Sequence, residues 1–425
     1  MKHIFPLFLI LLVTFSVQAQ PKLLKADAYL DVRTGALITP ANLLIEDGLI
    51  TSINPKVLPE NVEVIDLTGQ ILLPGLMDMH VHLDAEFKGN WDYTLKESAS
   101  QGTVRAMVNA KKTLLAGFTT VRSIGQVHLT PELIDVAIAE ASDKGLIIAP
   151  RIIPSGHMIS ISGGHGDLSL GLAEGLVNLG PKDGIINGKF EAIEAVRYQI
   201  KHGAKFIKIH ATAGVLSMED EVGAQQLSDE EMKTIVEEAS RHHIKVAAHA
   251  HGTEGIIAAI NAGVYSIEHG SLLDDEGIRL MKEKGVYLVP TSGLSATINE
   301  MIDKMHPVLA RKATYVLPLA KQNLRKAIVS GVKIAFGTDT PIIPHGKNAL
   351  EFSALIDCGM SATDAIKTAT INTAEMLGLS DRGELKEGLL ADIIAVNSNP
   401  INDIKTLENV RFVMKHGVVY KKDDK

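Results

Sequence analysis

The chain has 425 residues, 46% hydrophobic and 22% charged, with 36 Gly and 16 Pro, a composition that excludes disordered, collagen-like and multipass membrane classes. Forty-two Lys plus Arg against 50 Asp plus Glu give a formal charge of -8, so no basic excess exists to neutralise phosphates and nucleic acid is not an expected partner. The one cysteine, Cys358, excludes an intramolecular disulfide and any Cys-rich zinc finger, so a bound metal has to rest on His, carboxylate or a less usual ligand.

At the start, Lys2 and His3 precede an apolar run from Ile4 to Val13, and Val17-Gln18-Ala19 follows with small residues at the positions a signal peptidase reads. Residues 1–19 therefore read as a signal peptide. A membrane span needs roughly 18 or more apolar residues, which this run lacks, and no cysteine follows it for lipid attachment. The expectation is a periplasmic or secreted protein with no membrane anchor after cleavage.

Residues 20–73 alternate apolar and polar around turns, and Ala41 to Ile50 reads as a hairpin. Residues 385–425 do the same, through Leu390 to Val396 and Val410 to Val419. Neither segment carries enough apolar surface to stand alone, so the two are expected to pair into one small β-sandwich domain. Between them, residues 74–384 repeat an amphipathic segment, a glycine and a short β-rich run. Gly117, Gly203, Gly263, Gly285 and Gly331 each read as a left-handed helix cap feeding a strand. Ser228 is a plausible N-cap for a helix running to Arg241. Strands from Ile71 to His82 and near residues 119, 150, 206, 245, 266, 287 and 333 number eight, so the expected fold is α/β, a (β/α)8 TIM-type barrel. A doubly wound open sheet is the runner-up. Gly163 to Gly166 and the stretch from Gly171 to Gly188 read as a long loop over the active face.

Histidine placement carries the chemistry. His80 and His82 end the first barrel strand, where alternation sends both imidazoles the same way. His249 ends the fifth strand, His269 the sixth, and Asp339 in Gly337-Thr338-Asp339 ends the eighth. Each alone has a dull reading as packed core or turn, but barrel closure brings the C-terminal ends of all strands to one site. His165, His210 and His251, with Arg122 and Arg151, are candidates for reading a substrate carboxylate.

These residues, with Lys208 in Phe206-Ile207-Lys208-Ile209-His210, Pro74 to Asp78 and Gly388 to Asp392, resemble the binuclear amidohydrolase superfamily. More narrowly, the chain is similar to its exported Xaa-Pro dipeptidase (prolidase-like) branch, which also holds ochratoxin-hydrolysing amidases. The resemblance covers nearly the whole chain after residue 19. It implies two divalent metal ions, Zn2+ before Mn2+ or Co2+, with His80, His82 and Asp339 on the first and His249 and His269 on the second. It further implies that Lys208, rather than Lys205, carries a CO2-derived carbamate bridging both ions, which removes the objection to an ammonium beside two cations. A metal-bridging hydroxide would attack the carbonyl, and Asp339 would take its proton and return it to the leaving amine. At Ser123 the chain departs from the acidic residue that commonly follows Arg122, which weakens any role for Arg122.

The resulting expectation is an exported metal-dependent amidohydrolase cleaving the C–N bond of dipeptides or N-acyl amino acids, as a homo-oligomer. Two alternatives stand beside it. One is a cyclic amide hydrolase related to imidazolonepropionase, against which Lys208 argues because those relatives lack the bridging lysine. The other is an exported non-catalytic binding protein with a retained metal site, against which the complete ligand set argues.

Overall fold

The computed structural model describes residues 20–87, 92–218 and 221–423, so the expected signal peptide lies outside the described residues. Strand β1 (Lys22–Leu30) pairs with β2 (Leu37–Ile38) and β3 (Ala41–Glu46), and β3 forms a hairpin with β4 (Leu49–Ile53). Asp47 and Gly48 make the turn at φ 49° and 80°, the positive pair that a tight two-residue hairpin demands. Strand β5 (Glu63–Pro74) runs parallel to β1 and ends at Gly75, whose hydrogen would be replaced, in any larger residue, by a carbon colliding with Thr119. The run expected as one strand from Ile71 to His82 is thus two, belonging to different sheets on either side of Gly75.

Past Gly75 the barrel begins with β6 (Leu76–Val81), α1 (Ala99–Leu115), β7 (Phe118–Ser123), α2 (Ile134–Asp143) and β8 (Arg151–Pro154). A long connection follows, containing the short parallel pair β9 (Ser160–Ile161) and β10 (Ile185–Ile186). Then come α3 (Lys189–Lys201), β11 (Ile207–His210), α4 (Asp229–Arg241), β12 (Val246–Ala250), α5 (Thr253–Ala262), β13 (Ser266–His269), α6 (Asp275–Lys284) and β14 (Tyr287–Val289). Helices α7 (Leu294–Met301) and α8 (Pro307–Val329) precede the eighth segment, and α9 (Leu350–Asp357), α10 (Ala362–Thr368) and α11 (Ile371–Leu377) follow it. Local chemistry accounts for the boundaries. Ser98 and Ser228 close capping boxes with Gln101 and Glu231 on α1 and α4, and α5 and α6 end on left-handed Gly263 and Gly285.

The barrel strands pair in two parallel arcs, β6-β7-β8 and β11-β12-β13-β14, and the continuous sheet does not close. Single bridges span the gaps: Ile159 to Ile209 between the arcs, then Leu288 to Ile334 and Val81 to Thr340 on either side of the eighth segment. The eighth strand expected near residue 333 is therefore a stretch held by backbone bonds such as Met79 N to Phe336 O (2.8 Å) and Asp339 N to His80 O (2.8 Å), without a ladder. Strands β6, β7, β11 and β12 are buried at every position, as parallel strands with both faces covered must be.

The chain ends in β15 (Ile393–Val396), β16 (Phe412–Lys415) and β17 (Val418–Lys422), and β15 pairs antiparallel with β5. The terminal segments thus pair into one small β domain, as expected, built on one eight-stranded hydrogen-bonded sheet of order β17-β16-β15-β5-β1-β3-β4 with β2 on β1. Its far edge returns on itself: Ile50 N donates to Leu389 O (2.9 Å), and Gly388 N donates to Ile50 O (2.8 Å). Leu24, Leu43 and Ile65 share one core cluster with Ile393, Phe412 and Met414.

Candidate metal centre

The mouth at the C-terminal ends of the barrel strands is ringed by imidazoles. His80 Nε2 and His82 Nε2 lie 3.4 and 3.3 Å from Asp339 Oδ1, so β6 and the eighth segment deliver one compact three-ligand group. His249, His251 and His269, from β12, β13 and the turn between β12 and α5, form a second group whose ligand atoms lie within 4.8 Å of one another. The His80 and His269 rings are 5.0 Å apart, which joins the two groups. Lys208, on β11, is 1% exposed and lines the same cavity.

Four of the five rings are aimed by an oxygen behind them. His82 Nδ1 faces Gly125 O (2.7 Å), His269 Nδ1 faces Thr291 Oγ1 (2.7 Å) and His251 Nδ1 faces Ser271 Oγ (2.8 Å). His80 Nδ1 faces Glu268 Oε2 (3.0 Å), and Glu268 Oε1 accepts from Arg122 Nη2 (2.6 Å) and Ser266 Oγ (2.5 Å). This buried Arg-Glu-His chain fixes the tautomer of His80 and leaves Nε2 as the inward lone pair. Burial would raise Glu268, but Arg122, His80 and Lys208 outweigh it and push it down to about 2, so it stays an anion.

The electrostatics suit a cation. Burial pushes His80 down to about 4 and His251 to about 3, and holds His249 and His269 well below their ordinary value, so the rings are neutral donors at neutral pH. Burial would raise Asp339 too, yet His80, His82 and Lys208 hold it low, as a carboxylate. Burial pushes Lys208 down to about 8. His249 Nε2, buried, has no hydrogen-bond partner among the described residues. Neutral imidazoles and a carboxylate in one pocket fit divalent cations of the zinc type.

Backbone strain gathers at the same mouth. His269, Thr291 and Asp339 adopt φ of 70°, 49° and 58°, a left-handed conformation costly for residues other than glycine. At His269 it explains a residue missed in the sequence. Strict alternation along β13 sends Glu268 and His269 to opposite faces, but the left-handed turn lets both approach His80. The only sequence signal was an acidic residue abutting a strand-end histidine.

His165, His210 and His251 do join the cluster. His165 stacks on His249 with ring centroids 4.4 Å apart, and His210 lies 5.0 Å from His249. The two arginine candidates do not. Arg122 is 4% exposed and spent on Glu268, Ser266 and Met79 O, and Arg151 pairs with Asp392 of the terminal sheet. A cavity of about 830 Å³ opens over the centre, its walls supplied by the β8 to α3 connection (His165, Leu168), by α7 (Leu294, Ile298) and by α8 (Val316, Leu317).

A barrel hydrolase with its ligands on strand ends is the class that this fold and site define. Residues 71–420 match the amidohydrolase family, and the chain belongs to it. The chain is 36% identical over 374 residues to an ochratoxinase of Aspergillus niger, covering 83% of this chain and 76% of that one. A solved Xaa-Pro dipeptidase with methionine bound in its active site is 37% identical, with a TM-score of 0.89 over 95% of this chain and 100% of that one. A prolidase solved with N-methylphosphonate-L-proline is 28% identical, with a TM-score of 0.85 over the same shares. The protein is accordingly a hydrolase acting on C–N bonds of small-molecule amides, in the prolidase and ochratoxinase-like branch. Among the described residues no helix is long and apolar enough to cross a membrane.

Proposed function

We propose that this chain is an exported dipeptidase-like amidohydrolase, periplasmic or secreted, that releases the C-terminal amino acid from dipeptides, Xaa-Pro among them, or from N-acyl amino acids. The observation that carries the reading is the meeting of His80, His82 and Asp339 with His249 and His269 in one cavity large enough for such a substrate. His80, His82 and Asp339 would hold one zinc ion and His249 and His269 a second, with Lys208, as its carbamate, ligating both. When bound, the ions would supply Lewis acidity for the carbonyl and would lower the pKa of the attacking water.

The chain's own groups do the rest. Asp339, held as a carboxylate, takes the proton from the attacking water and passes it to the amide nitrogen, so that the product leaves as an amine. His165, His210 and His251 face the substrate, and Ser217 and Ser271 behind the first and last fix which ring nitrogen each presents to its carboxylate. The walls from α7 and α8 bury an apolar side chain and exclude bulk water. The leader-like start supports export, and the exposed stripe of Val104, Met107 and Val108 on α1 supports a homo-oligomer.

The test is a panel of Xaa-Pro and Xaa-Xaa dipeptides and N-acyl amino acids, assayed for released amino acid before and after chelation, with the chain from an exporting host beginning at Gln20. Turnover should vanish on chelation and return with Zn2+, and Asp339→Asn should lose about 100-fold or more in kcat. Full activity after exhaustive chelation, or no release from any member, would end the reading.

A further inference from the structure

The centre holds more imidazoles than two ions need. We propose that His165, His210 and His249 form a third cation site for a divalent transition metal of the zinc type, sharing His249 with the expected pair. Each of the three offers a ring nitrogen, and those nitrogens lie within 4.8 Å of one another. The ring centroids are 5.1 Å apart for His165 and His210, 5.0 Å for His210 and His249, and 4.4 Å for His165 and His249.

Hydrogen bonding separates this group from its neighbours. His80, His82, His251 and His269 each set Nδ1 against an oxygen. His249 Nε2 and His210 Nδ1 are buried and have no partner among the described residues, although an unpaired buried ring nitrogen is unfavourable. His165 Nδ1 is taken by Ser217 Oγ at 2.7 Å, which leaves Nε2 as its free ligand atom. Lys312 holds the same turn through Ser217 O (2.6 Å) and Gly214 O (2.8 Å). Two glycines make the space: a side-chain carbon at Gly214 would collide with the His165 ring, and one at Gly166 with His210. The seat is therefore built from both sides, by a supported loop and by the floor of the mouth.

An imidazole has two nitrogens, so His249 can serve a cation on each edge once its remaining ring proton passes to solvent. Three nitrogen donors and an open cavity side match Zn2+ with an exchangeable fourth ligand, and not Mg2+ or Ca2+, which prefer oxygen. An ion there would stand beside His251, among the imidazoles that face the substrate carboxylate. Excess metal should then compete with substrate, a consequence that rests on the proposed hydrolase reading although the site itself does not.

The experiment counts zinc per chain in the full-length protein after equilibration at graded free Zn2+ and desalting, for wild type, His210→Asn and His165→Gln. Wild type should hold one ion more than either variant, and excess Zn2+ should raise the wild-type KM about tenfold; the variants, which also lose a substrate-facing imidazole, are compared by zinc count. Circular dichroism checks folding, and if His210→Asn does not fold, His165→Gln on the loop carries the comparison. Equal counts in all folded proteins overturn the site. A deficit of two would place His210 on the expected pair and overturn it as well. One extra ion in wild type without hydrolysis of any amide would uphold the site and sink the hydrolase reading.

Discussion

At Glu268 a single buried carboxylate serves two masters, orienting His80 through Oε2 and neutralising Arg122 through Oε1. Arg122 is closed off from solvent and packs beside Phe206, with its guanidinium carbon 5.1 Å from the ring centre. Removing the charge at position 268 leaves that guanidinium without its counter-ion in a low-dielectric site, an arrangement that typically costs about 3–5 kcal/mol. Glu268→Gln should therefore lower the unfolding free energy by about that amount. It should also weaken the cation held through His80 by about 10- to 100-fold, the usual cost of losing an oxygen behind a metal-bound imidazole. Urea unfolding and a chelator competition check the two effects separately. Unchanged metal affinity would mean that His80 is aimed by packing alone. Arg122 also shows why residue type is a poor guide to role: an arginine near a predicted mouth reads as a substrate clamp until its partners are seen.

Among elements, the eighth segment is the weakest and the most consequential, since it has no ladder and yet presents Asp339. Its register depends on Gly337, where an added side-chain carbon would lie 2.9 Å from His80 Cβ and closer still to Val289. Asp78 clamps the neighbouring turn, accepting from Thr338 Oγ1 (2.6 Å) and Asn348 Nδ2 (2.8 Å). Gly337→Ala should thus push the segment off β6, destabilising by about 1–3 kcal/mol as overpacking does, and pull Asp339 away from His80 and His82. The readouts are unfolding free energy and retained metal per chain, with Gly180→Ala, which meets nothing within 4 Å, as the neutral control. Equal behaviour of the two variants would show that the segment has slack. The glycine-punctuated repeat made this segment visible as an eighth strand. Periodicity carries no information about whether a backbone finds ladder partners, so its reduction to bridges was not legible.

For the whole molecule, the features readable in advance were those that act locally: the Asp47-Gly48 turn, the capping Ser228, the strand-end ligands. The missed features depend on contacts across long sequence separations, such as His80 with Glu268, or the return of β4 to residues 388–391. The pile of buried histidines was readable one residue at a time but not as a sum, and the sum sets how the fold responds to acid. Burial pushes His80, His157 and His345 down to about 4 and His165 and His251 to about 3, and holds His210, His249 and His269 well below their ordinary value. A group depressed in the fold contributes stability that is present above its unfolded pKa, near 6.5, and is lost as pH falls toward its folded value. Burial acts oppositely on Asp78, Asp135 and Glu351, raised to about 6, 7 and 8, whose stabilisation is complete only below the unfolded carboxylate range and is lost as pH rises through those values. With His128 also lowered and Asp84 also raised by burial, nine imidazoles against four carboxyls leave a net loss as pH drops from 6.5 to about 4.5, each fully shifted group being worth about 1.4 kcal/mol per pH unit. The chelated protein should therefore unfold at a markedly lower urea concentration at pH 5.0 than at pH 7.0, by the equivalent of several kcal/mol on this scale. Zinc should steepen the dependence, because protons then have to displace a bound ion as well as enter a buried ring. Coincident urea midpoints for the chelated protein at the two pH values would show that these imidazoles are hydrated or charged in the native state, and the neutral-donor account of the centre would fall with them.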